Sequence, residues 1–484
     1  MAKVLLIYPH MRVITPLFPY PLLPIAAKLL QAGHEVRILD AQVEELRDVD
    51  PAAFDVVGIS TLSGYQIAGA LKAAEYVRAR APRATLVWGG VHPSIAPEQT
   101  VMDPRVDVVV RGEGELTLLA LLQALDGGRS LEQVSGLTLL VDGEVLHTPD
   151  VPFLDMDSLP FSDYSLIKTE RYPHFTGSPS WVFYESSRGC PNNCGFCYNL
   201  TVHKRKWRQK TVPRVLDELA YIKDTLGPDS IFPIDDNFSV SKRRVEAIAA
   251  GMTDRDLVFD WPMNSRFDYA QSYDDDFLAT LKRSGCTHIS FGGESGSARM
   301  LDKMCKGITP DMMRGTAALL RRNDIETGVM FMAGFPGELD EDLTATLDLI
   351  DELVEIYPKL EPRITIYTPF PGTTLYGEAI AGGFRDPGSL EGWSRFGYGL
   401  VENCAWLDRP RRGVLRTIAL LSMFDFTARR HKSSRLFSDR PALAIVHRIY
   451  SADARWRWRH RFFRMAPEWR LLDLVLKRMK LWHR

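Results

Sequence analysis

Three of the chain's six cysteines fall close together in the stretch YESSRGCPNNCGFCYN, residues 184–199: Cys190, Cys194 and Cys197. Close thiolates select soft ions, so the candidate chemistry is a zinc site or an iron–sulfur cluster. A structural zinc site closes with a fourth ligand, and His203 is near enough in sequence to supply it. A cubane cluster on three cysteines instead leaves one iron open to a small molecule. The spacing favours the cluster and leaves zinc open. Cys286, Cys305 and Cys404 are scattered and read as structural thiols.

These residues need elements to position them. A length of 484 residues predicts two or three domains. Hydrophobic residues at 45% and charged residues at 25% suit a globular chain with its own core. The net charge of −2 marks no polyanionic partner. Six cysteines are too sparse for a secreted disulfide scaffold, and their clustering points to a reducing compartment. The N-terminal MAKVLLIYPHMRV is not expected to be a signal peptide, because its apolar run Val4 to Ile7 is too short. No run of about 18 apolar residues predicts a membrane span. GVLRTIALLSMFDF (413–426), interrupted by Arg416 and Asp425, reads as a buried helix.

The fold class is α/β. Residues 1–135 alternate short apolar strands (VLLIY, EVRIL, DVVGIS, TLVWGG, DVVVRG) with helical runs, the first stopping at Gly33. This predicts a Rossmann-like, doubly wound parallel sheet whose ligand sits beyond the strand ends. Residues 136–180 read as a hairpin turning at Asp142-Gly143, then a linker. Six further βα units over 181–395 predict a barrel or open partial barrel, with function at the C-terminal strand ends. Residues 396–484 form a helical, basic C-terminal region.

The C-x3-C-x-aromatic-C pattern, with Phe196 before the last cysteine, resembles the radical S-adenosylmethionine (SAM) superfamily. IDDNFSV, NSRFD, FGGESGSARMLDKMCKG, MAGFPGELDED and YTPFPGTTLY follow in order, one after most barrel strands. The series is similar to the barrel of the cobalamin-dependent class and covers nearly all of 181–380. The resemblance implies a partial (β/α)6 TIM-like barrel and a [4Fe–4S] cluster on Cys190, Cys194 and Cys197. The open iron would chelate SAM, whose cleavage gives a 5′-deoxyadenosyl radical that abstracts a substrate hydrogen. For the other SAM contacts, Asp235 and Asp236 are expected to supply one acceptor for the ammonium and one cap for the following helix. Arg266 is expected to pair with a carboxylate, or to form a surface ion pair. Glu294, beside Ser295, would accept from ribose hydroxyls, and Gly292, Gly293 and Gly296 would let backbone approach. AGFPG (333–337), with Gly334, would contact adenine, and PFPG (369–372) reads as a turn.

In the N-terminal domain, STL (Ser60 to Leu62) and the pair Gly89-Gly90 resemble elements of cobalamin-binding domains. RGEGELT (111–117) resembles the version fused to radical SAM barrels. The loop YPHMRVITP contains His10 but not the Asp-x-His-x-x-Gly framing of a lower cobalt ligand, so none is expected. His92 lines the pocket or caps the following helix. In the tail, RWRWRHRFFR is expected to pack its aromatics on the barrel and expose arginine. Contact with an anionic membrane surface is the next reading, and nucleic acid the least favoured.

The resemblance implies a C-methyltransferase, with no catalytic side chain assigned. One SAM would methylate the cobalamin and a second would generate the substrate radical. A cyclase or oxidoreductase without methyl transfer, like the anaerobic magnesium-protoporphyrin ester cyclase, is the alternative. A non-catalytic cobalamin or redox sensor is the reading from another class. A methylthiotransferase is disfavoured, because residues 1–189 contain no cysteine. The expected partners are a small-molecule or lipid-like substrate and an electron donor such as flavodoxin or ferredoxin. The expected location is cytoplasmic, with peripheral membrane contact open.

Overall fold

The computed structural model describes residues 1–484 except 12–17, 173–177, 179, 423–440, 465 and 479–484. Seven strands form the N-terminal sheet: β1 (Lys3–Tyr8), β2 (Glu35–Asp40), β3 (Val56–Ser60), β4 (Thr85–Gly89), β5 (Val108–Val110), β6 (Leu137–Val141) and β7 (Glu144–His147). Their order is β2-β1-β3-β4-β5-β6-β7, with β1 to β5 parallel. The period-2 pattern divides the core. Val4, Leu6 and Tyr8 join the cluster under helices Leu22–Gln31 and Gly114–Asp126, while Leu5 and Ile7 join the one under helix Tyr65–Arg80. Gly33 lies just past the first helix at φ +84°, a conformation that a side chain resists.

The hairpin expected to begin the linker belongs to this sheet. β6 pairs antiparallel with β5, Val109 opposite Thr138, and β7 pairs with β6. The apolar face of LTLLV finds cover there: Leu137 and Leu139 are buried.

The second sheet system holds six parallel strands. β8 (Trp181–Tyr184) pairs with β11 (Ser230–Pro233), and β12 (Trp261–Ser265), β13 (Cys286–Glu294), β14 (Glu326–Ala333) and β15 (Glu361–Ile366) pair in sequence. One parallel bridge, Ser230 to Asp260, joins the two groups. This is the open six-stranded barrel. Between β8 and β11, β9 (Ser187–Arg188) and β10 (Arg208–Gln209) form a two-residue antiparallel clip around the cysteine loop.

Residues after the barrel return to the N-terminal sheet. Phe384, Leu390, Trp393 and Phe396 complete the core beneath helix Tyr65–Arg80. Trp393 Nε1 donates to Gln99 Oε1 at 2.7 Å, and Tyr398 Oη to the Ser63 carbonyl at 2.6 Å. Helix Arg409–Leu421 packs on β15, and helices Pro441–Arg459 and Pro467–Arg478 pack on it in turn. The helix within 413–426 thus runs to Leu421; residues 423–426 lie outside the described part. Trp458 and Trp469 are buried, and Trp458 Nε1 donates to Asp351 on the outer barrel helix Asp340–Ile356. Buried Trp458 and Phe463 with exposed Arg459 and Arg464 match the tail's pattern, but Trp456 and Phe462 stay exposed and Arg457 is buried, paired with Asp453 and Glu468. Among the described residues no helix is long and apolar enough to cross a membrane.

Candidate active site

The cysteine loop leaves β9 at Gly189 and is held from several sides. Gly189 has φ +80°, and its N–H donates to Asp236 at 2.8 Å. Gly195 N–H donates to the Met304 carbonyl at 2.8 Å, and its carbonyl accepts from Leu375 N–H at 2.9 Å. Cys194 is buried; Cys190 and Cys197 are partly accessible. Each of two sulfurs meets a donor. Arg266 Nη1 lies 3.2 Å from Cys194 Sγ, and Asn192 Nδ2 3.1 Å from Cys190 Sγ. Asn237 Nδ2 approaches Cys190 Sγ at 3.6 Å. Such donors stabilise thiolate sulfur. Burial pushes the Cys197 thiol up to about 12, so its thiolate needs a bound cation.

Among the described residues no three His, Cys, Asp or Glu side chains converge on one ion. A cubane does not ask for that, because each thiolate binds a different iron. The zinc alternative also loses its fourth ligand. His203 turns Nε2 to Asp236 at 3.4 Å and Nδ1 to Arg208 at 3.0 Å. The donor set therefore fits a cluster.

Several expected SAM contacts arrive already engaged. Asp235 accepts from Ser186 N–H (2.8 Å), Ser186 Oγ (2.6 Å) and Ser187 Oγ, so it anchors the start of the loop. Burial raises its carboxyl, against those bonds. Neither aspartate caps the next helix; Ser241 does, accepting from Arg244 N–H. Asp236 faces a cavity, close to Tyr198 Oη at 3.3 Å. Arg266 is buried rather than on the surface, and it spends its donors on Asp268, Cys194 and the Lys306 carbonyl. Glu294, at φ +59°, pairs with Lys306 at 2.6 Å, both side chains nearly inaccessible. Lys306 lies 5.7 Å from the Phe196 ring, linking the end of β13 to the cysteine loop. Ser295 is fully buried against Thr346 Oγ1 at 3.1 Å and holds a turn. Gly334 donates to Glu338 at 2.7 Å and accepts from Trp406 at 3.1 Å, so neither of its backbone groups is open to adenine. Lys306 is the functional candidate that sequence reasoning passed over. Its signal was the second lysine of KMCKG, in the same motif as the acidic strand end at Glu294.

The strand ends of the N-terminal sheet meet the barrel across a cavity of about 300 Å³. Ser60, Leu62, Gly89 and Gly90 line one side; Tyr198, Val202, His203 and Asp236 line the other. Gly112, also in the wall, has φ +70° and nothing within 4 Å of a would-be Cβ, so a side chain would enter the cavity. At Gly90, φ +94°, a Cβ would come within 2.8 Å of the Thr61 carbonyl. Gly89, Gly90 and Gly112 thus leave this side of the cavity free of side chains of their own, which suits close approach of a bulky cofactor. His10 is exposed and is not among the lining residues. His92 is not either. It is buried against Trp393, with Nδ1 3.0 Å from Ser63 Oγ, and burial lowers it to about 4. It therefore sits behind the cavity as a neutral packing residue.

At the junction, Arg188 donates to Glu185 (2.9 Å), Glu115 (2.7 Å) and Glu113 (3.2 Å), and Arg208 also pairs with Glu113. Glu113 and Glu115 come from RGEGELT, Glu185 and Arg188 from the cysteine segment. Burial would raise the Glu113 carboxyl, but the two arginines hold it below its ordinary range.

A parallel sheet with small residues at its strand ends, facing a three-cysteine loop at the mouth of an open barrel, defines a B12-binding domain joined to a radical SAM barrel. The B12 binding domain family matches residues 15–122, and the radical SAM superfamily matches residues 184–350. An uncharacterized methyltransferase of Pyrococcus horikoshii is 33% identical over 365 residues, covering 73% of this chain and 77% of its own. The anaerobic magnesium-protoporphyrin IX monomethyl ester cyclase of Synechocystis is 26% identical over 372 residues, covering 75% of this chain and 72% of its own. The cobalamin-dependent radical enzyme OxsB, solved with aqua-cobalamin and SAM bound, has the same fold. Its TM-score is 0.72 at 17% identity, over 99% of this chain and 75% of that one. The chain belongs to the family of radical SAM enzymes that carry a B12-binding domain.

Proposed function

We propose that this enzyme is a C-methyltransferase and that its substrate reacts in the junction cavity. The observation that carries this reading is the shared wall. Ser60, Leu62, Gly89 and Gly90 of the B12-binding domain face the segment directly after Cys197 across one cavity. Cys190, Cys194 and Cys197 would hold the cluster, and the slot at Gly89 and Gly90 the cobalamin. Given an electron from a flavodoxin or ferredoxin, the cluster supplies reductive cleavage of SAM, and cobalamin supplies methyl carriage.

The chain's own residues do the positioning. Arg266, Asn192 and Asn237 direct N–H groups at the sulfurs. Asp236 is the retained acceptor for the SAM ammonium, already fixed by Gly189 N–H. Phe196 and Lys306 fix the far side of the loop. Leu6, Ile25, Leu62, Val110 and Leu118 give the cavity apolar walls that exclude water from reactive intermediates. Exposed Trp456 and Phe462 among arginines would suit peripheral contact with an anionic membrane.

Anaerobically reconstituted protein, given cobalamin, reductant and SAM labelled in its methyl group, is the test. Label in the product supports methyl transfer. The cyclase relative favours a second reading, radical chemistry without methyl transfer. It predicts 5′-deoxyadenosine and an unlabelled product. No 5′-deoxyadenosine with cluster intact would sink both and leave a sensor.

A further inference from the structure

Helix Arg409–Leu421 carries Arg409, Arg412 and Arg416 along one stripe, with Gly413 between them. Arg470, on helix Pro467–Arg478, forms the facing wall. With Glu402 these residues line a groove of about 360 Å³ that shares none of its walls with the junction cavity. Four arginines and one glutamate thus line the groove. Glu402 pairs with Arg416. Asp408, nearby, caps the helix by accepting from Arg411 N–H at 2.7 Å, and Arg411 turns to Glu338 and Asp340. Among the described residues no carboxylate pairs with Arg409, Arg412 or Arg470. A Cβ at Gly413 would meet only Arg470, 3.8 Å away, so the floor of the groove is open.

Guanidinium stays charged at any working pH, so these groups cannot shed their mutual repulsion by losing protons. An oxyanion between them removes it, and their planar forks match phosphate oxygens. We propose that this groove is a binding site for phosphate groups, carried by a lipid headgroup or by a soluble phosphorylated ligand.

The test uses the full-length reconstituted protein. Pyrophosphate binding is measured by calorimetry. Co-sedimentation is measured with phosphatidylcholine vesicles, with and without phosphatidylglycerol. The inference expects one probe or both to bind, and the R412E/R470E variant to bind at least about tenfold more weakly. R83E, at an exposed arginine outside both the groove and the aromatic tail, should bind as the wild type does. Binding to phosphatidylglycerol vesicles alone assigns a headgroup; binding to pyrophosphate as well assigns the phosphate itself. No binding of either probe overturns the site, as does binding unchanged in R412E/R470E or equally weakened in R83E.

Discussion

Cys194 is the cysteine with the most defined surroundings: buried, and within 3.2 Å of a guanidinium. Cys194→Ala should leave reconstituted protein without a stable iron–sulfur absorption spectrum, and 5′-deoxyadenosine formation should fall to background. Arg266→Gln should keep the iron but shift its chemistry. Removing a positive charge and a hydrogen bond from a ligand sulfur makes reduction harder. The cluster potential should become more negative, on the order of tens of millivolts, in a redox titration followed by electron paramagnetic resonance. The residue scale is also where several expectations changed. Arg266, Glu294 and Asp235 stand at strand ends as their motifs predict, yet each finds an internal partner: Asp268, Lys306 and the Ser186–Ser187 pair. A motif fixes where a charged residue enters the fold. It does not by itself show that the charge is spent internally: Asp268 and Lys306 lie in the same motifs as Arg266 and Glu294, whereas Ser186 and Ser187 reach Asp235 from another strand end.

At the scale of elements, the loop after β4 is held by a segment about 300 residues later. His92 lies under Trp393, and Nε2 of that ring has no partner among the described residues. Its folded pKa, about 4, lies below the ordinary 6.5. A depressed histidine favours the folded state fully above pH 6.5, and that contribution is lost as pH falls toward 4. Between pH 7.5 and 5 the wild type should lose about 2 kcal/mol at this site. His92→Phe keeps a ring against Trp393 and removes the titration. Its melting temperature should therefore fall less over that interval, as calorimetry at the two pH values would record. The main elements were legible in sequence because their patterns are local: period-2 apolar runs for β1 to β5, and an ordered motif after most barrel strands. The hairpin of β6 and β7 was legible as a hairpin but not as an extension of the first sheet. Its partner strand, β5, lies more than 20 residues earlier, and pairing is a long-range choice.

At the scale of the whole molecule, the strand ends of the first sheet and the segment after Cys197 meet at one junction, and Arg188 ties it. Its side chain is 10% exposed and faces three carboxylates from both halves of the chain. Arg188→Met leaves Glu115 and Glu185 buried without their cation, which costs about 3–5 kcal/mol. The variant should melt earlier in thermal denaturation and retain less cobalamin by visible absorption after gel filtration. The sequence by itself determined the chemistry available. Three cysteines in one short loop, small residues at strand ends and two alternating βα series are encoded within short windows, where local propensity and spacing decide. Only the tertiary structure decided how that chemistry is shared. It placed Gly89 and Gly90 opposite the residues after Cys197, gave Arg266 to Cys194, and gathered four arginines from two helices into one groove. These are encounters between residues far apart in the chain, and burial of apolar surface across the whole molecule, not local pattern, selects them.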